Sequence, residues 1–375
     1  MTFFISLCSI NNFGFICNFL QENEQNNSSS GPLISFKYLA ISIVLSMLSM
    51  GVVIYLTYTP GILEHLKPKR LPGLILAIAV TLLKVYFSAE KIRFLADKAI
   101  DRMASIRIAL SWDFASAVTP STIGGAPVAT FAMTREGIKF GKSSAIILYG
   151  VLLDQFWYAL AVPILLISSI YFEVIPHEIG LAGNITMFLI YGGLILYGAL
   201  LTYGLLINPA SLKMIVRSIF SWRILSKYSE KVNAEANNLE KYSIELRKKP
   251  ISFVLKAFFL STMSWLCRIA IPVIVVLSLL PADEILLVLR SLSMNLAFLV
   301  IPTPGGSGGV EGLFAIFLGP LIERTAFIGL AVFVWRIITY YISIGLGIIA
   351  MFWYVNQTVI EKLEDDSDQS TEKIG

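Results

Sequence analysis

Glu311 and Arg336 stand inside stretches that otherwise read as hydrocarbon, and so do Lys84, Asp154, Arg268 and Arg290. A charge at mid-bilayer costs at least about 2.5–3.5 kcal/mol, so chance placement does not account for these residues. A carboxylate and a guanidinium in such surroundings can do two things. They can pair and lock two helices, or they can line a polar cavity and hold a charged ligand. Both readings stand for Glu311 with Arg336 and for Asp154 with Arg268; snorkelling to an interface is a third for Arg268. Lys84 and Arg290 read as interfacial residues rather than ligands. Other chemistry finds no footing. There is no Ser-His-Asp set, no H-E-x-x-H and no Walker sequence. Cys8, Cys17 and Cys267 show no paired spacing, and His65 and His177 stand far apart, so no disulfide, metal or cofactor is expected.

The elements that position these charges are broken in an unusual way. "PSTIGGAP" (Pro120–Pro127) and "PGGSGGVE" (Pro304–Glu311) both read Pro-x-x-x-Gly-Gly, with their first prolines 184 residues apart. Each lies between two short apolar helices and is followed by a long helix with polar residues inside it: Asp154 and Gln155 after the first, Arg336 after the second. Lipid offers no hydrogen bonds, so unwound backbone at membrane depth survives only inside protein or beside a watery cavity. Glycine lets backbone approach a ligand, and a half-helix aims its N-terminal amides at what lies ahead of it. Pro120, Gly124, Gly125, Pro302, Pro304, Gly305, Gly306 and Gly308 are therefore candidate loop residues of a binding site. A tight turn outside the membrane is the alternative.

Composition sets the class. The 375-residue chain is 56% hydrophobic and 14% charged, with a mean hydropathy of +0.75 and a net charge of +4. Soluble domains are about one quarter charged. Several stretches reach the roughly 20 apolar residues that a crossing needs, and no ten-residue alternation suggests a barrel. The reading is an all-α integral membrane protein. Residues 1–34 read as a poorly ordered leader, with a peripheral apolar stretch as the alternative, and 35–355 as a single transmembrane domain. Helices are expected at about 36–57, 71–94, 104–118, 128–138, 143–171, 182–207, 251–280, 284–301, 310–320 and 325–355. The domain divides into a first repeat (about 36–207), a basic insert (208–250) and a second repeat (251–355). An acidic cytoplasmic tail covers 356–375.

Charge bias orients the chain. Segment 208–250 carries nine Lys and Arg, whereas 172–181 and 281–284 carry none. The basic side, which includes 89–107 and 135–142, is assigned to the cytoplasm. The first broken hairpin then enters from the cytoplasm and the second from outside. That is an inverted repeat with two re-entrant hairpins, a design whose site lies at the repeat interface. Lys67, Lys69 and Arg70 disagree with it, falling in a loop that this scheme puts outside.

"FLVIPTPGGSGGVEGLFAIFL" followed by "VFVWRIITYYISIGLG" resembles the C-terminal signature of the lysylphosphatidylglycerol synthase/flippase transmembrane family. "AVTPSTIGGAPVATFAMTREGIKF" resembles its N-terminal Pro/Gly motif, but Ala126, Pro127 and Val128 stand where many members carry an acidic residue and an Arg. The resemblance spans roughly 36–355 and implies the lipid-translocating half of such proteins, without the soluble aminoacyltransferase. It implies that Arg336 holds a lipid phosphate, while Glu311 tunes it or receives a cationic head group. Asp154, Arg268 and Tyr340 would line the same cavity. Trp157, Tyr158, Tyr340 and Tyr341 flank an acyl or prenyl chain, or simply pack.

In the basic insert, Leu225, Tyr228, Val232, Ala236, Leu239, Tyr242 and Leu246 recur at three- and four-residue spacing, one face of an amphipathic helix. It docks on an anionic inner leaflet or serves as a solvated connector; no nucleic-acid fold accompanies it. Two function classes follow. One is a flippase or transporter in the plasma membrane, moving an anionic or aminoacylated phospholipid or a polyprenyl-phosphate lipid. The other is a membrane enzyme or accessory subunit of envelope-lipid synthesis. The protein partner would be a second copy of the chain or a lipid-synthesis enzyme.

Overall fold

The computed structural model of the chain describes residues 36–57, 71–119, 124–211, 214, 229–298, 301 and 303–354. The expected leader and acidic tail, the loop holding Lys67, Lys69 and Arg70, and Pro120, Pro302, Leu225 and Tyr228 lie outside the described residues. The described elements are α1 (Phe36–Thr57), α2 (Leu71–Leu95), α3 (Arg102–Val118), α4 (Gly125–Arg135), α5 (Phe140–Ser168), α6 (Gly180–Thr202), α7 (Ser229–Arg247), α8 (Ile251–Leu279), α9 (Glu284–Ala297), α10 (Gly309–Leu318) and α11 (Ala326–Arg336). Wider turns extend α6 to Ile207 and α11 through Ile337–Tyr341 to Tyr354. Every regular element among the described residues is helical. Five helices are long and apolar enough to cross a membrane: Leu71–Leu95, Phe140–Ser168, Gly183–Ile207, Ile251–Leu279 and Ala326–Tyr354. The protein is an all-α integral membrane protein.

The central contact is an antiparallel pairing of α2 and α8. Hydrophobic burial does not drive helices together in lipid, so close packing of small residues must. Ala77, Ala257 and Ser261 are wholly buried along this seam. Ser88 and Ser264 hydroxyls meet at 2.8 Å. Gly73 lies so close to Ser278 that a Cβ would come within 2.1 Å of its hydroxyl. At the other end Phe94 and Phe253 stack with ring centroids 4.6 Å apart.

Two of the short helices, α3 and α9, begin with side-chain caps. Asp101 accepts from the Ala104 amide at 2.6 Å to start α3, and Asp283 accepts from the Leu286 amide at 2.9 Å to start α9. α3 packs on α4, and α9 on α10. The element order α2–α5 recurs as α8–α11. Helix lengths are 25, 17, 11 and 29 residues in the first set and 29, 14, 10 and 29 in the second, counting α11 to Tyr354. The matched elements run from 71 to 168 and from 251 to 354, so α1 and α6 stand outside the match.

Basic residues collect at one end of this arrangement. Lys249 pairs with Asp97 at 2.6 Å, and Arg107 with Glu136 at 2.8 Å, where the Tyr354 hydroxyl also donates at 2.8 Å. The Arg107 guanidinium lies 3.6 Å from the centre of the Trp353 ring. α7 caps the same end. Ala236, Leu239 and Leu246 are buried, and the Gly141 amide at the start of α5 donates to Glu235 at 2.6 Å. The described part of the amphipathic face is therefore covered by α5, and neither leaflet docking through that face nor a solvated connector describes it. The helical face was legible in the spacing; its partner was another helix of the same chain.

Candidate functional site

The second break shows why its glycines are needed. Gly305, Gly306 and Gly308 have φ of 58°, 68° and 91°, values that a side chain disfavours. Gly305 meets a second limit: a Cβ there would lie 2.6 Å from the Ala117 carbonyl oxygen and 2.6 Å from the Tyr340 ring. Ala117 is in the last turn of α3, so the second break rests on the helix leading into the first. The Tyr340 hydroxyl reaches the same carbonyl at 3.4 Å.

Winding through these glycines delivers α10, and Glu311 in its first turn. Its carboxylate bends back to accept from the Gly308 amide at 2.9 Å. A carboxylate is favoured at a helix N-terminus, where amides lack partners. The other oxygen accepts from Arg336 Nε at 2.7 Å and from the Ser46 hydroxyl at 3.0 Å. Glu311 is wholly buried and Arg336 is 4% exposed. The two form the pair that sequence raised, tying α1, α10 and α11 together. Glu311 is well satisfied. Arg336 is satisfied on one edge: its guanidinium lies 4.5 Å from the centre of the Tyr340 ring, and Nη2 is buried with no partner among the described residues. The Thr303 and Ser307 hydroxyls are buried in the same condition.

The described part of the first break is built differently. Gly124 has φ of −68°, and neither it nor Gly125 takes a left-handed backbone. Their role is proximity. A Cβ on Gly124 would meet the Thr119 side chain at 2.4 Å, and one on Gly125 the Ser116 hydroxyl at 2.2 Å. The Gly124 amide donates to Thr119 Oγ1 at 3.1 Å. No ionised side chain stands in this stretch.

Asp154 belongs to a separate cluster. Lys91 Nζ lies 2.8 and 3.0 Å from its two oxygens, Trp265 Nε1 donates at 3.0 Å, and the Ser261 hydroxyl donates as well. α2, α5 and α8 are thereby tied at one carboxylate. No described hydrogen bond or ion pair joins Asp154 or Arg268 to Glu311 or Arg336. Arg268 instead shares a ring with Asp154. Its guanidinium lies 5.1 Å from the centre of the Trp265 ring, and Nε donates to Asn295 Oδ1 at 3.2 Å.

The two cations expected at an interface both have partners. Lys84 pairs with Asp113 at 2.6 Å, with side chains only 16% and 23% exposed. Arg290 is 3% exposed and clamps the far end, donating to the Glu173 carbonyl at 2.9 Å and the Phe317 carbonyl at 3.2 Å. Trp157, Tyr158 and Tyr340 are buried packing residues. Lys91, Asp113 and Ser46 were missed. Charge balance could have found the first two: Lys84 and Lys91 in apolar sequence need two carboxylates, and Asp113 and Asp154 supply them. Ser46 carried no signal.

Comparison with known proteins agrees with this picture. The family described as "Lysylphosphatidylglycerol synthase TM region" matches residues 34–347. A "UPF0104 membrane protein" of Archaeoglobus fulgidus is 26% identical over 248 residues, which are 66% of this chain and 75% of that protein. No solved structure matches. With five apolar spans, two Pro/Gly breaks and a match over most of its length, the chain belongs to the lysylphosphatidylglycerol synthase transmembrane-region family.

Proposed function

We propose that the protein moves an anionic or aminoacylated phospholipid, or a polyprenyl-phosphate lipid, across the plasma membrane, and that it is not itself an enzyme. The observation that carries this reading is the contact of the second break with the helix that leads into the first, where Gly305 rests on the Ala117 carbonyl beneath Tyr340. Backbone of this kind is tolerated at membrane depth only where protein or a polar cavity surrounds it. α3–α4 and α9–α10 act as re-entrant hairpins entering from opposite faces. Two groups of contacts support this. Arg107 of α3 and Glu136 after α4 lie at the basic end with Tyr354, while Arg290 of α9 and Phe317 of α10 lie at the other with Glu173. The recurrence of α2–α5 as α8–α11 is then an inverted repeat, with transport by rocking of one set against the other. The basic residues at one end support a reading in which that end faces the anionic inner leaflet. A second copy or a lipid-synthesis enzyme is the expected protein partner.

Reconstitution tests the function. Vesicles holding the purified protein should move a fluorescent anionic phospholipid between leaflets faster than empty vesicles. Equal rates for every anionic, aminoacylated and polyprenyl-phosphate lipid tried would refute it. Labelling tests the topology. In a background with the three native cysteines replaced, Thr119→Cys and Ser307→Cys should react with reagent from opposite sides; reaction of both from one side only would sink the inverted repeat.

A further inference from the structure

Among the described cations Lys84, Lys91, Arg268 and Arg336, which stand inside apolar helices, Arg268 is the odd one. Lys84, Lys91 and Arg336 each have a carboxylate within 2.8 Å. Arg268, near the middle of α8, has none among the described residues. Its place on the helix is informative. Leu255, Phe259 and Leu266 form an exposed apolar stripe, 60%, 55% and 47% accessible, which faces lipid. Arg268 lies on the opposite side, in register with Ser261, Ser264, Ile271 and Val275, all of which are buried. Yet Arg268 itself is exposed. A side chain that is exposed on the inward stripe of a membrane helix faces an opening within the bundle rather than the acyl chains.

The guanidinium there is held in a fixed pose. Nε donates to Asn295 Oδ1, and Asn295, 5% exposed, is oriented by its own donation to the Ser291 carbonyl at 2.9 Å. The guanidinium lies over Trp265, which stacks on Trp157 at 5.3 Å and is pinned by its donation to Asp154. Lys91 neutralises that aspartate, so it offers Arg268 little net charge. With Nε engaged, the edge bearing the two Nη groups is left to grip an acceptor. Two parallel N–H donors match a phosphate or carboxylate and no neutral ligand as well.

We infer that Arg268, stacked on Trp265 and anchored by Asn295, is the binding site for the phosphate of the lipid that the protein handles. The identity of the occupant as a lipid rests on the proposed function; the anion site does not. This reading separates two arginines that sequence put together: Arg336 holds the second break through Glu311, and Arg268 takes the head group.

The test uses the full chain in detergent, with thermal shift and native mass spectrometry as readouts. The probes are dihexanoyl phosphatidic acid, dihexanoyl phosphatidylcholine and inorganic phosphate. The wild type should bind phosphatidic acid at least about tenfold more tightly than Arg268→Gln, the loss of one charge-assisted contact. Phosphatidylcholine should show a smaller difference, and Arg268→Lys should recover part of the affinity. The variant itself should fold, because no carboxylate is left unpaired. Asn295→Ala provides a second check, since releasing the anchor should weaken phosphatidic acid binding without removing the charge. Equal phosphatidic acid binding by wild type and Arg268→Gln would overturn the site. Inorganic phosphate competing as well as the lipid would keep the anion site and remove lipid as its occupant. Arg268-dependent lipid binding without translocation would keep this inference and defeat the proposed function.

Discussion

The two helix breaks share a sequence pattern and almost nothing else. In the second, three glycines take left-handed backbone, a carboxylate enters the first turn of the next helix, and a buried arginine answers it. In the described part of the first, the backbone is right-handed, the glycines admit Thr119 and Ser116, and no charge is present. Likeness of Pro and Gly spacing thus reports that a helix stops, while the reason each glycine is there depends on neighbours that spacing does not name. The second break is electrostatically locked and depends on glycines in left-handed backbone; the first is held by packing and by one threonine.

The largest effect should come from breaking the lock. Arg336→Ala leaves Glu311 charged and wholly buried, and losing one partner of such a pair costs about 3–5 kcal/mol. Thermal unfolding of purified variants should show the greatest loss here, with Glu311→Gln close behind. If both variants unfold with the wild type, the two breaks do not differ as described. Translocation normalised to folded protein then separates roles: an unchanged rate in the surviving fraction marks a lock, and a lost rate with intact stability marks a ligand.

Asp154→Asn comes next. It strips Lys91 of its partner at a site that retains some solvent, so the loss should follow a charged hydrogen bond, about 1.5–3 kcal/mol. Replacing Lys91 by Met in the same chain should restore much of it in a double-mutant cycle. A cycle with no coupling would mean that Asp154 serves something other than this pair.

Alanine at the glycines compares the breaks directly. Gly305→Ala meets a left-handed backbone and the Ala117 carbonyl together, so about 1–2 kcal/mol of strain is a lower bound. Gly308→Ala meets the backbone preference with no atom nearer than 3.9 Å, and should cost about 1–2 kcal/mol and no more. Gly124→Ala strains no dihedral, and the Thr119 side chain can turn aside, so its cost should be under about 1 kcal/mol. A lower unfolding midpoint for Gly124→Ala than for Gly305→Ala would reverse the comparison.

Arg268→Gln should change stability least, since no carboxylate among the described residues loses a partner. A drop as large as that for Arg336→Ala would place Arg268 among the locks.

What was legible in sequence was what each stretch of chain requires of its immediate solvent. Lipid accepts only backbone that bonds to itself, so every crossing had to be a long apolar helix, and Leu71–Leu95 and Ile251–Leu279 stand within a residue of where they were read. Pro and Gly marked both breaks for the same reason. α4 nonetheless starts at Gly125, before the expected 128, because Pro127 fits the first turn of a helix, where its missing amide has no partner to lose. Glu311 and Arg336 could be matched because each belonged to one motif region and each needed an opposite charge. Tertiary structure decided the rest. Lys84 meets Asp113 across 29 residues and Lys91 meets Asp154 across 63, distances set by which helices lie side by side. The apolar face of α7 was visible as a stripe, but only the fold could put α5 against it. Arg268 looked like any other charge in apolar sequence, and only packing around it showed that Asn295 and Trp265 orient it while no carboxylate among the described residues pairs with it. A sequence states the charge each side chain carries; its partner is fixed by the geometry of helices that close-packed small residues allow to meet.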